Sequence, residues 1–338
     1  PDHTHAVSAI ASMKLGKHVY CEKPLTRTVR EARAMRLVAE KQKVVTQMGN
    51  QGSESEGVRR AAEWAWAGTV GPIQEAYLWI GDGNSPMTRP TDTPDIPKEL
   101  DWDLWLGPVS KIPYHPSYLP RTWRSWSHFG SGGLGDMGCH TGNFLFRGLR
   151  FETLWQAKKG GEKTIIRVDG KGKEVNADGY PRSTRVEFQL PARGDLPPVK
   201  LVVSSGKDVR PSKDLLHGEN PGSFGSLMIG SKGSIYSSDP WNRSSRLLPR
   251  GKDKELESPK KTLPRGVGHY REFIEACKGR GETFSSFSMG GPLTELIQLA
   301  NVAARVNGPF EFDPVACETN HAGANKLLHR DYRKGWSI

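Results

Sequence analysis

From residue 5 to residue 68 the chain alternates helix-like stretches with short apolar runs, and that alternation limits the fold more than any other feature. Residues 5–15, centred on Ala6-Val7-Ser8-Ala9-Ile10, read as a helix stopped by Gly16, with Lys14 and Lys17 near its negative end. Val19-Tyr20 follows as a short buried strand. Thr28-Val29-Arg30-Glu31 is a capping box for a helix with Ala32, Met35, Val38 and Ala39 on one face. Residues 44–48 form the next strand. Ser53-Glu54-Ser55-Glu56 is a second capping box, whose helix runs past Trp64 and Trp66 to Gly68. Helices between short apolar strands imply an α/β unit with parallel pairing.

The pattern changes after Gly71-Pro72. Residues 73–80 alternate as a strand, and residues 81–135 are rich in Pro, Gly, Trp and Asp. A loop of that length is functional or disordered, and its Trp and Tyr content argues against disorder. Its rings either pack on the C–H faces of a carbohydrate or simply anchor a wrapped loop. Strand-like runs recur at 184–188, 199–203, 225–230 and 233–236, separated by turn signals, so a mainly antiparallel sheet is expected. Residues 157–182, rich in Lys and Gly, read as a loose surface hairpin or insertion. Residues 292–306 read as a late helix closed by Gly308-Pro309.

Composition narrows the function. The 338 residues carry 48 Lys and Arg against 37 Asp and Glu, a net charge of +11. Opposite signs are interleaved, as in the run 250–257, and no nucleic-acid reader motif is present, so a solvated basic surface is expected rather than a nucleic-acid partner. No apolar run approaches the ~20 residues of a membrane span. Cys21, Cys139, Cys277 and Cys317 show no C-x-x-C pairing, and His3-Thr4-His5 has no nearby partner ligands, so no metal is expected.

The chemistry points to His18-Val19-Tyr20-Cys21-Glu22-Lys23-Pro24. A lysine at the C-terminal end of a strand in such a unit stands where open parallel sheets bind ligands. Taken alone it would be a solvated surface lysine. Downstream, Asp136-Met137-Gly138-Cys139-His140 places a carboxylate four residues before a histidine, on one helix face, where it can orient the imidazole. The glycines at 130, 132, 133 and 135 would let the backbone approach a ligand.

With Gly49-Asn50-Gln51, Leu104-Trp105-Leu106-Gly107-Pro108, Tyr114-His115-Pro116 and the tail Tyr332-Arg333-Lys334-Gly335-Trp336, these segments resemble the glucose–fructose oxidoreductase / inositol dehydrogenase (Gfo/Idh/MocA) family. The resemblance implies an α/β plus α+β fold: the C-terminal part of a Rossmann dinucleotide-binding domain (1–71), a substrate-binding domain with a large, mainly antiparallel open sheet (72–312), and a tail (313–338) packing back on the protein. The first strand and the G-x-G-x-x-G turn of such a domain do not open this chain, so the sequence reads as lacking its first half, on the order of 100 residues. Such a piece is expected to bind no cofactor alone.

The family further implies an NAD(P)-dependent oxidoreductase moving a hydride between nicotinamide and a hydroxyl-bearing carbon of a sugar, cyclitol or glycoside. Lys23, His140 and Asp136 would be catalytic, with His140 as base. Pro1, His3, His5, Glu22, Lys23 and Asn50 would line the NAD or NADP crevice; Glu22 could equally form a structural ion pair. Trp123, Arg124, Tyr114 and Asn143 would face the substrate, with the 102–126 loop over it. Asn143 stands where the family usually has an Asp, and an amide cannot serve as a base. Some relatives instead use bound NAD to hydrolyse glycosides by transient oxidation, and a sugar-sensing relative without catalysis is a further reading. Self-association through the open sheet is expected; a cytoplasmic location is the default, with an exported form left open.

Overall fold

The computed structural model describes residues 1–81, 83–85, 87–158, 160–252 and 259–338. The charged run 250–257 lies mostly outside the described residues.

The first part runs α1 (Asp2–Lys14), β1 (Val19–Glu22), α2 (Val29–Gln42), β2 (Thr46–Gly49) and α3 (Glu56–Trp66). β1 and β2 pair in parallel, with Val19 opposite Thr46 and Glu22 opposite Gly49, so Lys23 leaves β1 beside the turn that leaves β2. The capping box at Thr28 forms as expected: Thr28 Oγ1 accepts from Glu31 N at 3.3 Å, and Glu31 Oε2 accepts from Thr28 N at 3.0 Å. The second box does not form. Residues Gln51–Glu54 wind into a 3-10 turn, and Ser55 caps α3 by accepting from Val58 N at 3.3 Å.

The second part is a nine-stranded sheet in the order β11-β10-β4-β5-β6-β3-β7-β8-β9. Its strands are β3 (Ile73–Ile80), β4 (Ile166–Lys173), β5 (Ser183–Leu190), β6 (Val199–Ser205), β7 (Phe224–Gly230), β8 (Gly233–Ser237), β9 (Arg246–Leu248), β10 (Pro309–Asp313) and β11 (Glu318–Thr319). Only β3 and β6 pair in parallel; the other contacts are antiparallel. The sheet is therefore mainly antiparallel, as the turn-separated runs require. β3 is central. Its alternation separates two apolar faces rather than core from solvent: Ala76, Leu78 and Ile80 meet the helices, while Tyr77 and Trp79 pack with Val202, Leu227 and Tyr236.

The helices of this part are α4 (Trp102–Leu106), α5 (Gly132–Thr141), α6 (Asn143–Gly148), α7 (His269–Cys277), α8 (Phe287–Val306) and α9 (Ala322–Leu327). Three sequence readings need correction here. Residues 157–182 are not a loose insertion, because β4 lies inside the sheet between β10 and β5. A Cβ at Gly170 would come within 2.3 Å of the Ala303 backbone, so the glycines are what let β4 lie on α8. Helix α8 starts at Phe287 and carries Pro292 inside it. Gly290-Gly291-Pro292 looks like a helix breaker, yet Cβ atoms at Gly290 and Gly291 would stand about 3 Å from Met48 and Arg36 side-chain atoms, so they pack α8 against β2 and α2. Helix α7 has no counterpart in the sequence reading, although Tyr270, Phe273, Ile274 and Cys277 stand at helical spacing; Tyr270 and Ile274 are exposed in the fold.

Residues 102–129 are held together by their rings. Trp102, Tyr114, Tyr118, Trp123, Trp126 and Phe129 form a small core of their own; Trp102 stacks on Trp105 at 4.8 Å. His3 of α1 closes it, fully buried, with ring nitrogens 2.9 Å from Trp105 O and 3.2 Å from Phe129 O. The tail returns: Tyr332 Oη donates to Glu31 at 2.6 Å, and Arg333 pairs with Asp103.

Two outcomes follow for stability. Glu295 on α8 is fully buried and receives a fork from Arg33 on α2, at 3.0 and 2.8 Å. Glu295→Ala strands the Arg33 charge and is expected to cost about 3–5 kcal/mol in urea denaturation. Burial pushes the His3 imidazole down to about 3. The unfolded chain then takes up a proton that the folded chain refuses, so this contribution is full above the unfolded value of about 6.5 and fades as pH falls toward 3. His3→Phe should be less stable at pH 7 and should make stability fall less steeply with acid, by up to about 1.4 kcal/mol per pH unit; equal slopes in the two proteins would remove His3 from the acid response.

Candidate functional site

Two backbone ends build the site. β1 delivers Glu22 and Lys23. Helix α5, held close to α8 by Gly138, whose Cβ would stand 2.8 Å from Ile297, delivers Asp136 and His140. Lys23 Nζ donates to Asp136 Oδ1 at 2.6 Å and also reaches the Asp136 carbonyl. Arg124 Nε donates to the same Oδ1 at 3.0 Å, while its guanidinium lies 4.4 Å over the Trp123 ring. Burial would raise the Asp136 carboxyl, but the Lys23 and Arg124 charges overcome it and hold the group below the usual carboxylate range. Asp136 is an anion with two cationic partners.

That pairing corrects one expectation. Asp136 is engaged by Lys23 and Arg124, and no hydrogen bond joins it to His140 one turn later. His140 is buried, and its Nδ1 has no hydrogen-bond partner among the described residues. Burial, with the Lys23 charge added, pushes its imidazole down to about 3, so the ring is neutral at neutral pH. Asn143, a residue further round on α6, also has a buried, unpartnered Nδ2.

The other expected site residues divide. Glu22 is exposed at the crevice, accepting from Tyr20 Oη at 3.2 Å and Gln51 Nε2 at 3.1 Å. A Cβ at Gly49 would strike the Glu22 carboxylate at 2.5 Å, so the bare glycine is what lets that carboxylate lie against β2. His5 Nδ1 stands 3.0 Å from Pro24 O and so supports the Lys23-Pro24 turn from below. Pro1 contributes its carbonyl to Thr4 N and Oγ1, at 3.0 and 2.9 Å, at the start of α1. His3 points away from the crevice into the aromatic core: it is the second residue of α1, and its ring packs beside Trp105 and Phe129. Asn50 is buried, with Nδ2 donating to Cys139 O at 3.3 Å and Oδ1 accepting from Ser285 Oγ, so both its polar groups are already used. Tyr114 is turned inward, edge-on to Trp102 at 5.4 Å. Trp123 is buried and serves as the bed for Arg124. The glycines before α5 meet protein rather than ligand: Cβ atoms at Gly130 and Gly132 would strike Arg124 and Tyr180 at 2.5 and 2.7 Å.

Sequence reasoning missed three neighbours. Gln51 joins Tyr20, Glu22 and Tyr270 through one amide nitrogen. His269 of α7 stacks edge-on to Tyr20 at 5.7 Å, and its Nε2 is buried and unpartnered. Trp241 stands with its ring 6.2 Å from that of His140. Only Gln51 adjoins a motif; the other two lie more than a hundred positions downstream, where nothing local marks them. Among the described residues no three His, Cys, Asp or Glu side chains gather as metal ligands, and no helix is long and apolar enough to cross a membrane.

Comparison with known proteins agrees with this layout. Residues 1–50 match the NAD-binding Rossmann fold of the GFO/IDH/MocA oxidoreductase family, and residues 70–145 match that family's C-terminal alpha/beta domain. Levoglucosan dehydrogenase of Pseudarthrobacter phenanthrenivorans is 36% identical over 93 residues, 26% of this chain and 24% of that enzyme. The matched stretch is thus about a quarter of that relative's length. An inositol dehydrogenase homologue from Azotobacter vinelandii, solved with NADH and myo-inositol, superposes with a TM-score of 0.56 at 17% identity, over 93% of this chain and 76% of that one. A levoglucosan dehydrogenase solved with NADH and levoglucosan gives 0.54 at 21% identity, over 92% and 78%. Aldose-aldose oxidoreductase from Caulobacter crescentus gives 0.55 at 16%, over 91% and 76%. At these identities the structures speak for the fold, while residues 1–50 and 70–145 match, in order along the sequence, the two domains of the GFO/IDH/MocA oxidoreductase family.

Proposed function

We propose that the protein is an NAD(P)-dependent dehydrogenase acting on a hydroxyl-bearing carbon of a sugar, cyclitol or glycoside. The observation that carries this reading is the 2.6 Å Lys23–Asp136 pair, one helical turn from a buried, neutral histidine with an unpaired nitrogen. The relatives solved with NADH together with levoglucosan or myo-inositol support the cofactor and the substrate class.

The residues present fit a nicotinamide cofactor. Glu22 is an exposed acceptor at the end of β1, seated against the bare backbone of Gly49, and buried polar atoms at His140 and Asn143 have no hydrogen-bond partner among the described residues. Glu22, Lys23 and the Gln51 turn would hold its reactive end. When bound, the cofactor supplies the acceptor for the hydride and its electron pair. The rest is done by this chain. Lys23 gives one N–H to the Asp136 carboxylate and one to the Asp136 carbonyl, which leaves the third for the substrate oxygen. Arg124 shares the same carboxylate oxygen and fixes it, so Lys23 is aimed rather than free. As the C–H hydride departs, the hydroxyl proton is taken by His140, which burial has kept neutral and able to accept it. Asn143 is placed to hydrogen-bond a neighbouring hydroxyl. Self-association through the open face of the large sheet, where Lys200 pairs with Glu75 and Arg185 with Glu187, belongs to the same reading.

The test is turnover of the full protein with NAD and NADP against a panel including levoglucosan and myo-inositol, following reduced cofactor. No reduction with any polyol sinks the reading, and glycoside cleavage without accumulation of reduced cofactor moves the protein to the hydrolases. Lys23→Ala should lower kcat by about 100-fold or more while cofactor affinity stays within a few-fold. His140→Ala should lose a similar factor. Lys23 depresses the His140 imidazole, so removing its charge in Lys23→Met raises that value, and the acid limb of the residual pH–rate profile should move to higher pH. An unmoved limb would assign the proton transfer to another group.

A further inference from the structure

Trp241 is an exposed indole on a rigid frame. Its side chain is 39% open to solvent, yet the loop that carries it, between β8 and β9, is pinned from all sides. Asp239 accepts from Trp241 N at 3.2 Å and from Arg243 N and Nε at 2.9 and 2.8 Å. Asn242 is fully buried in a left-handed conformation, φ 52°. Its Oδ1 accepts from Phe144 N at 3.3 Å, and its carbonyl accepts from Ser55 Oγ at 2.8 Å. Thr141, the residue after His140, donates Oγ1 to Pro240 O at 2.9 Å. Gly52 lies so close that a Cβ there would stand 2.0 Å from the Trp241 carbonyl. The indole is thus positioned by α5, α6 and the β2–α3 turn together.

Beside it runs a groove of about 300 Å³ lined by Gln51, Gly52, Glu54, Ser55, Trp241 and Arg243. Neither Lys23 nor His140 lines this groove, although the Trp241 ring stands 6.2 Å from that of His140. The groove therefore adjoins the reacting centre without containing it. The Trp241 indole forms part of its wall, with the Arg243 guanidinium 5.1 Å from the ring centroid, and an amide, a carboxylate and a hydroxyl also line it. A flat apolar face with polar groups around its edge matches a sugar ring, which offers C–H bonds on one face and hydroxyls at its perimeter. Because the frame is already rigid, stacking there loses little conformational freedom.

We propose that the Trp241 groove is a subsite for a second sugar ring, joined by a glycosidic bond to the ring whose hydroxyl meets Lys23 and His140. This rests on the dehydrogenase reading for the identity of the first ring, and on the groove alone for the second. The natural substrate would then be a disaccharide or longer glycoside rather than a free monosaccharide.

The experiment is calorimetric titration of the full protein, with cofactor present, using cellobiose, maltose, lactose and sucrose and their constituent monosaccharides as probes. At least one disaccharide should bind about tenfold more tightly than either of its monosaccharides. Trp241→Ala should bring that ratio close to one, and Trp241→Phe should keep most of it. Damage to the fold would weaken both classes of sugar together and leave the ratio alone, so the ratio reports the subsite. A wild-type protein with no disaccharide preference, or a preference that survives Trp241→Ala, overturns the proposal. A preference that Trp241→Ala removes, without cofactor reduction by any sugar, leaves the subsite standing and removes the dehydrogenase reading instead.

Discussion

The placement of the site depends on helix α8. It is buried along nearly its whole length, between the parallel β1–β2 pair with α2 on one side and the large sheet on the other. A buried carboxylate at its centre would be costly alone. Glu295 is matched by a two-pronged bond from Arg33 and by Trp155 Nε1 at 2.8 Å. Arg33 belongs to α2 and Trp155 to the segment before β4, so a single carboxylate joins three stretches of chain. The bare faces of α8 at Gly290 and Gly291 take β2 and α2, and Ile297 receives the bare Gly138 of α5. With β2 and α5 both seated on one helix, the end of β1 and the middle of α5 are brought face to face, and Lys23 meets Asp136.

The electrostatics of that meeting are asymmetric in a useful way. Asp136 has two cations on one oxygen and stays ionised despite its burial. His140, one turn along the same helix, is pushed down mainly by burial, and the Lys23 charge adds to the effect without the ring sharing in the pairing. The result is a cation held at a fixed point beside an uncharged base. A carboxylate bonded directly to the histidine would have raised its proton affinity instead. Arg124 supplies the second arm of this arrangement, and the buried Trp123 ring beneath it fixes where that arm lies.

Much of the site could be read in one dimension because its local rules are short-range. The capping box at Thr28, the strand ending at Glu22 and the spacing of Asp136 and His140 need only a few neighbouring residues to be recognised. The errors share one cause. His3, Asn50 and Tyr114 are residue types suited to a ligand site, but each is consumed by the protein: His3 by the Trp105 and Phe129 rings it packs between, Asn50 by Cys139 and Ser285, Tyr114 by Trp102. Whether a polar or aromatic side chain faces a ligand or a neighbour is a question of what packs against it, and the neighbours here come from elsewhere in the chain.

The sequence by itself determined the α/β opening, the mainly antiparallel second half and the strand-end position of Lys23, because periodicity, caps and turn residues act within a few positions of one another. Tertiary structure alone decided that glycines at 170, 290 and 291 are packing contacts rather than breaks, since only the facing backbone shows what a Cβ would strike. It also decided that Asp136 answers to Lys23 and Arg124 rather than to His140, and that Trp241 stands at the mouth of the site. Those are distances between residues far apart in sequence, and a buried charge takes whichever partner the fold brings within reach.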